Sequence, residues 1–219
     1  GRQIEMRYAV TILLMVTICV EAAPTVLGVQ HAQHGLSEPQ KGRLLFSELR
    51  CASCHATEAV KQKKGPDLSL VGSRLNPDFI QRFIANPHGV DSGTQMPDLL
   101  EGNPKRNEIA EALTHFLVSR TGNSFIEGVV KQDDVDPGKK LFEKIGCINC
   151  HLPGKGVQLS HVPSKYGVDS LSEFLFQPLH ARPSGRMPDM NLTREEARSI
   201  ASYLIGFKAV KLTNQNMAH

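Results

Sequence analysis

The sequence predicts an all-α protein built as two copies of one domain. Apolar residues recur at helical spacing in several segments, no alternating strand pattern of useful length occurs, and the second half repeats the first. The copies are expected over 37–122 and 134–208, joined by a linker at 123–133. A signal sequence at 1–23 and a linker at 24–36 precede them, and a polar tail at 209–219 follows.

The opening segment has the layout of a secretory signal. Arg7 supplies charge, Ala9 to Val20 is apolar, and Glu21-Ala22-Ala23-Pro24 offers small residues for cleavage. The apolar run of 12 residues falls well short of the roughly 20 that span a bilayer. Left uncleaved, it is the one segment that gives membrane association. A lipid-attachment reading of Val16-Thr17-Ile18-Cys19 is disfavoured, because Ile18 stands where such boxes want a small residue. Cleavage removes two bases and two acids, so the formal charge stays at +3. With Lys and Arg scattered, that charge does not suggest nucleic acid. His31 and His34 lie in the following linker and read as solvated tail residues.

The first helix is expected from Ser37, with Gly42, Leu45, Phe46 and Leu49 on one face leading to Cys51. The pattern returns 96 residues later as Gly138, Leu141, Phe142 and Ile145 leading to Cys147, with Asp136 and Pro137 as N-cap and first turn. Further on the offset becomes 91: Leu68-Ser69 matches Leu159-Ser160, Phe83 matches Phe174, and Pro87 matches Pro178. A short helix is expected over Pro77 to Ala85, with a counterpart over Asp169 to Phe176. Each half closes on a longer helix. One carries Ile109, Leu113, Phe116 and Leu117 after Asn103-Pro104; the other carries Ala197, Ile200, Tyr203 and Leu204 after a capping box of Thr193 and Glu196.

Four of the five cysteines lie in two C-x-x-C-H strings, Cys51-Ala52-Ser53-Cys54-His55 and Cys147-Ile148-Asn149-Cys150-His151. Such a string is the attachment site of a c-type haem: Cys51 and Cys54, or Cys147 and Cys150, bond the porphyrin, and His55 or His151 binds the iron. Two covalent haems are therefore expected. A redox dithiol wants a βαβ context that is missing here. A zinc site needs the cysteine pairs to converge or to find further ligands, and it leaves the repeated histidine unexplained.

An iron held by His on one face takes a second ligand on the other. Met96-Pro97-Asp98 and Met187-Pro188-Asp189 occupy equivalent loops ahead of the closing helices, which makes Met96 and Met187 the expected sixth ligands. Met190 is a rival, but Leu99 stands at its place in the first half. His88, His115, His161 and His180 have no partner in register. The carbonyl of Pro66, in Gly65-Pro66-Asp67-Leu68, is placed to accept the other ring N–H of the iron-bound histidine. Val157 stands at the Pro66 position in the second half, a departure that bears on loop geometry and predicts irons of unequal potential.

On these residues, and on the aromatic-Leu pairs Phe116-Leu117 and Tyr203-Leu204, both halves resemble class I cytochrome c domains over about residues 37–208. The tandem layout is similar to cytochromes of the c4 type and to haem-binding modules of bacterial oxidoreductases. The resemblance implies that each domain is a few helices around one covalent haem, its first and last helices crossing at the Gly and aromatic positions. It also implies an exported, periplasmic carrier passing single electrons between redox protein donors and acceptors, with no catalytic residue. Two alternatives stay open: a dihaem peroxidase, and an electron-transfer module of a longer oxidoreductase, since the chain begins at Gly1.

Overall fold

The computed structural model describes residues 35–56, 65–152, 156–182, 185 and 187–216. The expected signal sequence and nearly all of the linker after it lie outside the described residues. Among the described residues the regular structure is helical, and no helix is long and apolar enough to cross a membrane.

The first module runs through α1 (Glu38–Glu48), a 3-10 turn (Cys51–Ser53), α2 (Val71–Arg74), α3 (Pro77–Ala85), α4 (Pro87–Val90) and α5 (Arg106–Ser119). The second repeats the order with α6 (Gln132–Lys144), α7 (Cys147–Cys150), α8 (Val162–Lys165), α9 (Val168–Phe176), α10 (Pro178–Ala181) and α11 (Arg194–Asn216). Local chemistry sets the ends. The Gln40 side chain accepts from the Ser37 N–H at 2.8 Å, closing the start of α1. Asn76 accepts from the Asp78 N–H at 2.8 Å and Asn86 from the Gly89 N–H at 2.9 Å, capping α3 and α4. Thr193 and Glu196 form the expected box at the start of α11.

Four details differ from the sequence reading. The cysteine strings do not ride on the helices before them: α1 and α6 stop, the chain turns left-handed at Arg50 (φ 54) and Gly146 (φ 93), and each string forms its own short turn. α6 starts at Gln132 with Pro137 inside it, because Asp133 and Asp134 already favour a helix N-terminus there. α5 starts at Arg106, after the Asn103 side chain has accepted from the Lys105 N–H. α11 stays helical through Asn216, across most of the expected polar tail.

Each module closes where its first and last helices cross. A Cβ on Gly42 would overlap the Ala112 carbonyl, and one on Gly138 the Ser199 carbonyl, so the backbones meet with nothing between them. The rings alongside pack at 5.4 Å between centroids for Phe46 and Phe116, and at 5.7 Å for Phe142 and Tyr203. Leu45, Leu100, Ile109 and Leu113 fill the first core; Val168, Leu171, Ala197 and Ile200 fill the second. The segment between the modules is tied to the second, the Val168 N–H donating to the Glu127 carbonyl at 2.9 Å.

The modules meet through equivalent surfaces. α8 packs on α3 and α2 on α9, and the 91-residue offset turns each contact into the other, as in an isologous dimer. The Asn76 N–H donates to the Lys165 carbonyl at 2.9 Å, and Leu75 packs against the second core. The Lys165 ammonium lies 5.3 Å from the Phe79 ring centre and 5.2 Å from that of Tyr166, while His161 stacks on Phe79. Burial and the nearby Arg182 and Arg74 guanidiniums, opposed by Asp91, push the Lys165 ammonium down to about 8.

Two outcomes follow for stability. Gly42→Ala and Gly138→Ala each destabilise their own module by about 2–3 kcal/mol, whereas Gly206→Ala, whose added Cβ meets nothing closer than 3.6 Å, holds stability or raises it by about 0.5–1 kcal/mol; denaturant unfolding reads both. Because the Lys165 value lies below its ordinary 10.5, the charged form carries a penalty, full below about 8 and fading towards 10.5. Wild type therefore gains on Lys165→Met by about 1–3 kcal/mol across that window, after loss of the cation–π attraction.

Candidate functional site

Each cysteine string coils into one turn, which sets the donors. The His55 N–H bonds the Cys51 carbonyl and the His151 N–H the Cys147 carbonyl, both at 3.0 Å, so each histidine follows its first cysteine by one turn. Cys51 and Cys147 are half-buried, and Cys54 and Cys150 are exposed. Burial pushes the Cys51 thiol up to about 11 and raises Cys147 as well. Reactive dithiols have the opposite shift, a depressed thiol that attacks as thiolate.

The imidazoles are fixed from behind. His55 Nδ1 lies 3.0 Å from the Pro66 carbonyl, as expected from the sequence, and His151 Nδ1 lies 3.0 Å from the Val157 carbonyl. A backbone carbonyl only accepts, so Nδ1 carries the proton and Nε2 is left with its lone pair for a metal. The contact at Val157 keeps the length of the one at Pro66, but it is exposed where the first is part-buried. Glycine matters more than proline here. A Cβ on Gly65 would sit 2.8 Å from His55 Nδ1, and one on Gly156 would overlap the Cys150 carbonyl.

Met96 and Met187 both lie half-buried in the loops before the closing helices. The Met96 N–H donates to Thr94 Oγ1 at 3.2 Å. Met187 packs against the second core cluster, and so does Met190. His161 stacks across the module junction and His115 sits 3.9 Å from Glu111 on the surface, so both have other engagements. Sequence reasoning missed Arg106, whose guanidinium pairs with Asp98 at 2.7 Å and also donates to the Ala85 carbonyl. Asp98 is repeated as Asp189, but Arg106 has no repeat image to flag it.

The donor set fits a porphyrin iron. Each turn offers two thiols spaced for one porphyrin edge and an imidazole nitrogen oriented by its other ring atom. No group of three or more His, Cys, Asp or Glu gathers among the described residues, so the cysteine pairs do not converge there on a zinc site.

Known proteins agree with this geometry. Residues 39–120 match the family model described as cytochrome c, and residues 133–204 match that described as cytochrome C oxidase, cbb3-type, subunit III. Over 86 residues the chain is 36% identical to one of the subunits of the nitric oxide reductase of Cereibacter sphaeroides (strain ATCC 17025 / ATH 2.4.3). That alignment covers 33% of this chain and 58% of the relative. No solved structure matches.

Gly65→Ala tests the imidazole support. Losing the Nδ1–H bond makes the ligand less basic and favours ferrous iron, so the first module's potential rises by about 40 mV for one bond of about 1 kcal/mol. The second module's potential stays put in the same redox titration.

Proposed function

Because the chain is a class I c-type cytochrome with two tandem haem-binding modules, each holding one covalent haem c, we propose that it is an exported carrier passing single electrons between redox proteins. The haem supplies a reversible Fe(III)/Fe(II) couple. In this reading Cys51 and Cys54 anchor the first haem and Cys147 and Cys150 the second. His55 and His151 ligate through Nε2 on one face, and Met96 and Met187 close the other. The observation that carries the proposal is the repeated pairing of an imidazole fixed at 3.0 Å on a backbone carbonyl with a Met-Pro-Asp loop at the same place in each copy.

The protein's part is to hold geometry still. Two thioether bonds prevent loss of the group, the crossed helices keep the pocket dry, and a methionine ligand favours the ferrous state over harder donors. With His55 and Met96, and His151 and Met187, as ligand pairs, no position would be left open for a small substrate, so the peroxidase reading is not favoured. A second reading has a specific observation behind it: the likeness to a component of nitric oxide reductase supports a role as the electron-entry module of a larger oxidoreductase. Both readings make the chain an electron-transfer protein.

A reduced pyridine adduct is expected to return two haems per chain. The ferric protein should show the Met–iron charge-transfer band, and Met96→Ala and Met187→Ala should each remove about half of it. One haem per chain, or rapid peroxide turnover with a reduced donor, sinks the carrier reading.

A further inference from the structure

The contact between the modules is tied into the loop that supports the first histidine. Arg74 Nη2 donates to the Asp67 carbonyl at 3.0 Å, and the carbonyl one residue earlier, on Pro66, holds His55 Nδ1. The guanidinium facing the second module therefore braces the loop that fixes the first imidazole. In the second module Gln158 stands at the Asp67 position and turns its amide to the Gly156 carbonyl at 2.8 Å, a local bond. Lys165 stands at the Arg74 position. Its ammonium leaves that loop and lies against the first module's Phe79 and its own module's Tyr166.

Lys165 is half-buried there, and among the described residues no hydrogen bond reaches its ammonium. From the first module it faces Arg74, itself beside Asp67, and Asp91 just after α4. From its own module it faces His161 one turn back, Tyr166, and Arg182 just after α10. The other charges on the packed elements are turned outward or already engaged. Asp78 and Arg82 on α3 and Glu195 on α11 are exposed, Glu196 caps its own helix, and Arg194 and Arg198 pair with Glu173 and Asp169 on α9. Burial holds His161 below its ordinary range and Tyr166 above its own, so neither changes charge where Lys165, at about 8, does.

We propose that Lys165, carried by the second module, is the proton-linked charge that sets the potential of the first iron across the junction. The proposal rests on ligation of that iron by His55 and Met96, as read above. An ammonium at the junction favours the reduced iron, because reduction adds a negative charge nearby; the neutral amine does not. Lys165 therefore draws a proton from solvent as a redox protein donor delivers one electron to the first module, and it returns that proton on oxidation. The sign follows. The first potential is high where Lys165 is charged, falls as pH rises through about 8, and levels off above. One module then adjusts the driving force of the other.

The test is a redox titration of the full holoprotein with spectra, repeated from about pH 6 to about pH 10, a range that brackets the charge change. Met96→Ala marks which of the two waves belongs to the first module. In wild type that wave should fall with rising pH, its reduction equilibrium constant dropping about fivefold, or about 40 mV, the scale of one partly screened charge. The second wave should stay level. Lys165→Met should hold the first wave flat at the alkaline level, and Lys165→Arg should hold it flat at the acid level. An indicator dye in weak buffer should record uptake of about 0.4 proton per electron at the midpoint of the step in wild type, and lose that uptake in both variants. A merely structural role for Lys165 changes the melting temperature, or moves both waves alike, while the pH step persists. A first wave that is level with pH, a step that survives Lys165→Met, or a step carried by the second wave overturns the proposal. A Met96→Ala protein in which neither wave moves defeats the His/Met reading, and the proposal with it.

Discussion

Everything in each module hangs on one close crossing of backbones. A helix pair normally keeps 8–10 Å between axes because side chains intervene. At Gly42 against Ala112, and at Gly138 against Ser199, nothing intervenes, so the first and last helices lock at one point. That point fixes where α1 and α6 end, and hence where the cysteine turn begins. Leu49 and Ile145 hand over to the left-handed residues Arg50 and Gly146, and the turn that follows presents its first cysteine half-buried and its second exposed. The aromatic pairs then seal the crossing, Phe46 with Phe116 and Phe142 with Tyr203. Small modules bury too little surface to be stable alone. Here the shared constraint is a helix crossing that leaves one flank free for a large apolar group, whose burial supplies what the chain lacks.

The sequence was most legible where function demands fixed spacing. Two thiols must reach one porphyrin edge, so the string that carries them survives duplication intact, and the glycine and aromatic pattern beside it survives for the same steric reason. The expected helix over Pro77 to Ala85 is found at those bounds because Asn76 and Pro77 write its start into the chain. What could not be read is long-range. The left-handed hinges are invisible to periodicity: Arg50 has a side chain that disfavours such a turn, and only its companion Gly146 signals one. The Val157 substitution looked like a lesion in the second site, yet the carbonyl that supports the histidine belongs to the backbone. Any residue able to follow that path provides it at the same 3.0 Å. Arg106 escaped because its partners, Asp98 and the Ala85 carbonyl, come from separate elements and Thr193 stands at its place in the second closing helix.

Duplication also explains how the modules meet. A surface that pairs with its own copy needs no new complementarity, which is why α2, α3, α8 and α9 form the contact in reciprocal pairs. Such symmetry has an electrostatic cost when the repeated residue is charged. Arg74 and Lys165 are repeat images, and at the junction they face one another's surroundings as like charges. One departure from symmetry softens this and another sharpens it. Lysine replaces arginine in the second copy, and its ammonium lies between Phe79 and Tyr166. Asp91 in the first copy has become Arg182 in the second, which keeps one carboxylate near the cluster and adds a third cation.

That surplus of positive charge bears on the electron-transfer role. Three basic side chains set against Asp91 and Asp67 form an unbalanced field at the contact between modules, and a half-buried charge is screened far less than a surface one. Positive potential favours the reduced over the oxidised form of any nearby iron, because reduction adds a negative charge. Of the three, Arg74 and Arg182 are guanidiniums, whereas Lys165 is an ammonium brought to about 8 by burial and by those same neighbours. The junction therefore carries one adjustable charge among fixed ones. The adjustable one sits in the second module, where the arginine of the first copy has been replaced, so divergence after duplication has placed the variable charge on one side of the contact and a fixed one at the equivalent place on the other.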